Sequence, residues 1–470
     1  MRAEPRGGGL RQRERATRPY AERTLTVTTK LKRFTLKARE ELHTRFTSLM
    51  GLLFDPEGLR ESFGRQDGRK APGVDGVRKE DDAEGVEARL EDLSARIRRL
   101  GYRPPPARRT SIPKGDGRLR PLGVPCFEDR LVQDRLSQIL QAIWEPAFLD
   151  CSYGFRPGRS AHDALRRVAE VITNEGTQWV VEADIKGFFD HVSHAHVRRV
   201  LEHRIGDPNF VRIIQRFLKA GILEDGAFTA SVEGTPQGGL VSPVLSNIDL
   251  HSVLDLWFEK RFARVCAGKA FLIRYADDYV ACFEHEADAR AFLTEMGERL
   301  ATFDLEIEPS KTARLEFGSA LLGRDRAHRQ GPRTFSFLGF THYVGRSRRG
   351  RFVVGRKTDG KRLRKKLAAL NARLRALRTE GGNALVAFLV RHLQGHIQYY
   401  GVSGNSRGVS SYVYCAQRLL FKWLNRRSQK RSLNWKQFST YIRRWLPKAR
   451  ILHDLYPVPW WKTQAGSRMV

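Results

Sequence analysis

The last third of this 470-residue chain is almost without acid. Between Arg346 and Arg450 stand 27 lysines and arginines, with only Asp359 and Glu380 against them. A merely solvated surface mixes signs, so this imbalance points to a face for a polyanion, most often nucleic acid. The whole chain carries +32, while residues 31–345 are close to neutral. Cysteine is scarce as well. Cys126, Cys151, Cys266, Cys282 and Cys415 are odd in number and lack paired metal-ligand spacing, so buried free thiols in a reducing compartment are expected. No apolar run is long enough to span a membrane. The opening stretch, MRAEPRGGGLRQRERATRPY, lacks the apolar segment of a secretory signal. A soluble cytoplasmic protein with no membrane partner is expected. No internal repeat is visible, and with 41% hydrophobic residues the chain can bury substantial cores.

Residues 1–30 read as a disordered basic tail and 31–85 as an N-terminal extension containing a helix over LHTRFTSLMGLLF. Val86, Leu90, Leu93, Ile97 and Leu100 recur at helical spacing, with Gly101 placed to cap the end. YRPPPARRTSIPKGDGRLRPLGVP reads as a β-hairpin turning at KGDG. WVVEADI reads as a buried strand, and RVCAGKAFLIRYADDYVACF as two strands turning at Ala276-Asp277-Asp278. Strands alternating with helices over 86–345 imply a mixed α/β body with a central sheet. FSFLGFTHYV closes that body, and GRSRRGRFVVGRK reads as a break before the basic segment 346–450. There Leu363, Leu367, Leu370, Leu374 and Leu377 form one stripe suited to core packing, leaving the basic faces for phosphates. Residues 451–470 read as a C-terminal tail.

Adjacent aspartates in a turn are ordinarily solvated turn formers. Asp277 and Asp278, however, sit between the apolar runs AFLI and VACF, and a second apolar strand also ends in a carboxylate, Asp184. If the strands are neighbours, three carboxylates meet at one sheet edge, where unpaired they repel and are costly to bury. Hard oxygen ligands of this kind suit Mg²⁺, which shares its shell with substrate phosphates. A pair of such ions roughly 3.5–4 Å apart forms the clamp used in phosphoryl transfer.

These residues resemble those of a known family. RYADDYV is similar to the Tyr-x-Asp-Asp box of reverse transcriptases, in the Tyr-Ala-Asp-Asp form common in group II intron-encoded proteins. APGVDG, IPKGDGRLRPLGVP, EDRLVQ, YGFRPGRSAHDAL, ADIKGFFDHV, GTPQGGLVSPVLSNI, EPSKT and FLGF resemble that family's successive motifs, in order. GHIQYYG and LNWKQF resemble its thumb/maturase region, so the likeness runs from about residue 71 to 438. The resemblance implies an α/β (α+β) right-hand polymerase: fingers and palm with a central antiparallel sheet, then an all-α basic thumb/maturase domain.

It also implies roles for individual residues. Asp184, Asp277 and Asp278, with the backbone carbonyl of Ile185, would hold two Mg²⁺ ions while a primer 3′-hydroxyl attacks the nucleotide α-phosphate. Lys114 and Arg120, on the arms of the KGDG hairpin, would clamp the triphosphate, although ordinary hairpin charge explains them too. Phe189 would lie under the sugar and exclude a 2′-hydroxyl; one of Phe188 and Phe189 must be core. Gln237 would contact nucleotide or template, and Gly238 beside it suits close backbone approach. Lys311 of EPSKT would protonate pyrophosphate, and Tyr275 would pack beside the primer end. His162, His342 and His396 lack metal spacing and read as structural.

The partners implied are group II intron RNA, a template–primer duplex, target DNA and deoxynucleotides. Many family members carry a further endonuclease domain with paired cysteines and a His-Asn-His core, and this chain is expected to lack it. Two alternatives stay open: a splicing-only RNA-binding maturase, and a domesticated reverse transcriptase in phage defence or CRISPR adaptation.

Overall fold

The computed structural model describes residues 29–113, 119–235, 238–322, 334–347, 349–426 and 433–457. The expected N-terminal tail lies almost wholly outside these residues, as does 458–470. The strands, in chain order, are β1 (Ala107–Pro113), β2 (Leu119–Val124), β3 (Trp179–Asp184), β4 (Ile222–Glu224), β5 (Ala227–Thr229), β6 (Ala270–Tyr275), β7 (Asp278–Phe283), β8 (Ala313–Glu316), β9 (Thr334–Phe337), β10 (Phe340–Arg346) and β11 (Phe352–Thr358). Two compact units interleave along the chain. The first runs through Arg156 and adds Ile185–Trp257 and Glu298–Glu306; the second takes Pro157–Asp184, Phe258–Gly297 and everything from Ile307 onward.

In the first unit β2-β1-β4-β5 form one sheet, in which β1 and β2 are the expected antiparallel hairpin. The long helix Phe127–Trp144 buries Leu131, Leu136, Ile139 and Leu140. The helix Val86–Arg98 buries Leu90, Leu93 and Ile97, as their spacing predicts. The left-handed residue that ends this helix is Leu100 (φ 58°), not Gly101. The amide of Gly101 returns to the Arg96 carbonyl and that of Leu100 to Ile97, the double bond of a Schellman end that falls one residue early. The helix expected over 42–54 is reduced to Met50–Leu53. Asp207 accepts the amides of Leu49 and Met50 at 2.9 and 3.0 Å, and Phe46 bridges to Ile205, so tertiary partners replace the helical ones.

In the second unit β6-β7-β3-β8 form an antiparallel sheet. β7 is buried along nearly its whole length, and Phe283 joins Phe258, Phe262 and Phe292 in an aromatic cluster beneath it. β11-β10-β9 make a second, three-stranded sheet. The stretch expected as a break holds β11, paired with β10 through all seven of its residues from Phe352↔Arg346 to Thr358↔Phe340. Its arginines and glycines masked an alternation that a neighbouring strand completes.

The basic segment continues as helices Gly360–Leu377, Gly382–Tyr400, Ser406–Leu424 and Trp435–Tyr441. Asp359 caps the first of them by accepting the Arg362 amide. Leu370, Leu374 and Leu377 are buried, with Leu363 and Leu367 packed at the margin of the same core. The mixed α/β body, its antiparallel palm-like sheet and the helical basic segment are thus all present. Of the five free cysteines, Cys126 and Cys282 are buried and the other three only partly so.

Candidate active site

The second unit holds Asp184, Asp277, Asp278 and Lys311 together. β3 ends at Asp184, whose register partner on β7 is Asp278, the first residue of that strand. β6 and β7 close on the pair Tyr275↔Asp278, so the turn itself has two residues, Ala276 and Asp277. Positive φ occurs at Ala276 (57°) and not at Asp277, the pattern of a II′-type hairpin whose first position normally belongs to glycine. An alanine there is strained and needs outside support. Arg274 supplies it: wholly buried, it donates from Nη1 to the Ala276 carbonyl at 3.0 Å.

Burial raises the Asp278 carboxyl to about 7, helped by the charges of Asp184, Asp277 and Glu182 and opposed by the Leu338 amide donating to it. Glu182 is a fourth carboxylate, which the sequence reading passed over. It lies two residues before Asp184 on the same face of β3, and it accepts the Ser336 amide at 2.9 Å. The period-2 spacing in WVVEAD was the available signal.

Lys311 reaches this edge on a short 3₁₀ turn, Pro309–Lys311. The Glu308 amide donates to the Asp184 carbonyl at 2.9 Å, and the Glu308 side chain takes the Ser310 amide and hydroxyl. This hangs the turn on the end of β3. The Lys311 ammonium then lies 2.5 Å from Asp184 Oδ2. Burial pulls the Lys311 pKa down, but the hydrogen bond to Asp184 and the charges of Asp184, Glu308 and Asp277 outweigh it and hold the pKa above the usual lysine value.

The donor set is the one a hard divalent cation takes: clustered carboxylate oxygens with mutual repulsion to relieve. With Asp184 engaged by Lys311, no three acids among the described residues converge on one point. A cation would therefore exchange with the ammonium instead of entering a ready cage. Tyr275 is half-buried at the end of β6, and among the described residues no histidine joins the cluster.

The first unit carries the other expected residues. Ile185 is buried (1% exposed). Phe188 goes into the core, while Phe189 is half-buried and lines a cleft of about 270 Å³ with Arg109, Leu122, Gly123 and Thr235. The Phe189 carbonyl accepts the Thr235 amide at 2.7 Å, and a Cβ on Gly234 would strike the carbonyls of Asp190 and Phe189. What approaches Gly238 (φ 115°) is the Gly123 carbonyl of β2, only 2.4 Å from where a Cβ would stand. Arg120 lies on β2 opposite Ile112. Lys114 and Gln237 lie outside the described residues.

Paired acidic strand ends on an antiparallel sheet, with a lysine hung beside them, suit phosphoryl transfer assisted by divalent cations. Comparison with known proteins agrees: residues 112–342 match the reverse transcriptase (RNA-dependent DNA polymerase) family. The chain is 39% identical over 232 residues to Protein YkfC of Escherichia coli (strain K12), covering 48% of this chain and 60% of that one. It is 36% identical over 225 residues to the group II intron-encoded protein LtrA of Lactococcus lactis subsp. cremoris, covering 47% and 37%. To nuclear intron maturase 1, mitochondrial, of Arabidopsis thaliana it is 33% identical over 95 residues, 20% and 13% of the two chains. It therefore spans 60% or less of the length of each of these relatives. Just under half of the chain, residues 112–342, is thus similar to the reverse transcriptase family, and group II intron-encoded proteins are among the relatives it resembles. That family generally uses divalent metal ions. Among the described residues no helix is long and apolar enough to cross a membrane.

Proposed function

We propose that this protein is an RNA-directed DNA polymerase of the group II intron type that also binds its intron RNA as a maturase. The observation that carries the reading is the register of Asp184 against Asp278, with Asp277 in the intervening two-residue turn. Two Mg²⁺ ions held by Asp184, Asp277, Asp278 and the Ile185 carbonyl would supply charge stabilisation to the attacking and leaving oxygens. The chain's own groups do the rest. Lys311, kept protonated beside Asp184, delivers a proton to the departing pyrophosphate. Phe189, on the wall of its cleft, excludes a 2′-hydroxyl. Lys114, Arg120 and Gln237 hold the incoming nucleotide and template, and Tyr275 and Gly238 border the primer–template.

The basic helices of 346–450 bind the template–primer duplex and intron RNA, assist its splicing, and work with target DNA in target-primed reverse transcription. Their one-sided charge and exposed Tyr441 and Trp445 support phosphate neutralisation with base stacking. A cytoplasmic, nucleoid-associated ribonucleoprotein fits this role.

The test is primer extension on an RNA template with Mg²⁺ and deoxynucleotides, wild type against Asp277→Ala. Extension by wild type and none by the variant is expected. An inactive wild type that still binds and splices intron RNA would leave a splicing cofactor in place of a polymerase.

A further inference from the structure

Of the two acids in the basic segment 346–450, Asp359 is accounted for as a helix cap. Glu380 has no such partner: it is exposed, and among the described residues it takes neither an ion pair nor a hydrogen bond. It closes the 3₁₀ turn Arg378–Glu380. Gly381 (φ 98°, ψ 167°) then turns the chain into the helix Gly382–Tyr400, in a conformation reserved for glycine. A carboxylate ahead of a helix is favoured by the helix dipole. On a face meant for phosphates it also repels the ligand, so its place calls for a further use.

Glu380 lines a hollow of about 780 Å³, a volume in the range of small-ligand sites. Val386, Ala387, Leu424, Leu433 and Ile442 supply its apolar lining. Tyr441 and Trp445 line it as well, and they are 61% and 66% exposed. Trp445 ends the 3₁₀ turn Arg443–Trp445, and its amide donates to the Ile442 carbonyl at 3.0 Å. The next residue, Leu446, is buried in the helical core, so the backbone under the indole is anchored while the ring itself is bare. Arg378, Arg443 and Arg444, in the same two turns, are all exposed.

Unpaired RNA bases are held by such combinations, stacked on aromatic rings and hydrogen-bonded along their edges, with cations for the phosphates. An ionised carboxylate can only accept. Guanine is the one RNA base whose Watson–Crick edge sets two donors side by side, N1–H and N2–H, to match two carboxylate oxygens. Adenine and cytosine place a ring acceptor beside their amino group, and uracil flanks its single N–H with two carbonyls. We propose that this hollow is a socket for an unpaired guanine of bound RNA, stacked on Trp445 and Tyr441 with its Watson–Crick edge on Glu380. The inference rests on the reading of 346–450 as an RNA-binding face, and it adds a base preference that phosphate contacts do not supply.

The test is fluorescence anisotropy at physiological salt with a 5′-labelled oligouridine, either plain or carrying one central guanosine, adenosine, cytidine or inosine. The proteins are the whole chain as wild type, Glu380→Gln and Trp445→Ala; both side chains are exposed, so the fold should persist. Wild type should bind the guanosine strand about 10-fold more tightly than the adenosine or cytidine strand. Inosine, which lacks the N2 amino group, should fall between. Glu380→Gln should erase this order while binding every strand at least as tightly, because a negative charge is gone. Trp445→Ala should weaken the guanosine strand about 10-fold, and far more than plain oligouridine. A wild type that binds all strands alike overturns the inference and leaves the RNA-binding reading intact. So does a Glu380→Gln protein that keeps the guanosine preference and loses only thermal stability, as a mere dipole partner would. A wild type that binds none of the strands removes the reading of the basic face, and this inference with it.

Discussion

Lys311 and Asp184 form a contact of 2.5 Å at the mouth of the carboxylate cluster, on a lysine side chain that is itself 63% exposed. The ammonium neutralises an acid that a cation would otherwise claim, so the two compete for one oxygen. Lys311→Met should lower kcat about 100-fold, the scale of a lost proton donor. The Mg²⁺ concentration for half-maximal rate should stay the same or fall, because nothing has to be displaced. Primer extension across an Mg²⁺ series measures both, and a raised Mg²⁺ requirement would speak for a lysine that assists cation binding.

Arg274 gives a second prediction. Replacing it by methionine leaves the buried Ala276 carbonyl without its donor, at a cost of about 1–3 kcal/mol. The strained turn should then wander and activity fall at least about 10-fold, which is about 1.4 kcal/mol in the barrier. Lysine cannot reproduce the planar fork, so Arg274→Lys should rescue stability better than turnover. Urea unfolding and extension rates, measured side by side, separate the two effects.

Three carboxyls, Asp129, Asp249 and Asp278, are raised to about 7, each chiefly by burial. In the unfolded chain they titrate near 3.9. A folded pKa above the unfolded one means that the native state holds the proton more tightly. The stability this lends is complete below about pH 4 and is lost as pH rises through 7. The melting temperature without divalent cations should therefore fall between pH 5 and 8. Asp129 accepts the Tyr102 hydroxyl and is 2% exposed, in the core of the first unit. Asp129→Asn should flatten that fall by about a third, since one of three such groups is gone. An unchanged slope would mean that Asp129 is ionised in the fold at pH 6.

The exposed cations of the helix Gly360–Leu377 carry the RNA prediction. Arg364, Lys365 and Arg375 all face solvent. Changing all three to glutamine should reduce the slope of log affinity against log salt by about 2, at 0.7–0.9 per phosphate contact. Filter binding of intron RNA over a salt series reads the slope, and no change would move the phosphate contacts to another face.

Much of the fold and site was legible because the features are local. β3 and β7 are apolar runs that end or begin in aspartate, and the Leu stripe of Gly360–Leu377 repeats at helical spacing. What escaped depends on partners distant in sequence. β11 is strand-like only beside β10, and the chain before Met50 is shaped by Asp207. Arg274 meets a backbone carbonyl and Asp207 two backbone amides, groups that look alike whatever residue carries them. No pattern of side chains could announce those contacts. Gly101 misled for a related reason: glycine permits a left-handed helix end, but Leu100 took it.

The way the chain is threaded limits how the protein can be taken apart. Asp184 closes one segment of the second unit, Asp277 and Asp278 lie in another, and Lys311 opens near the start of a third. No contiguous piece of the gene shorter than residues 157–470 encodes that unit, and even this piece carries two stretches that belong to the first. Isolating a minimal catalytic fragment by truncation should fail. Reassembly of separately expressed segments, or rewiring of the termini at surface loops, is the route by which the site could be separated from the rest.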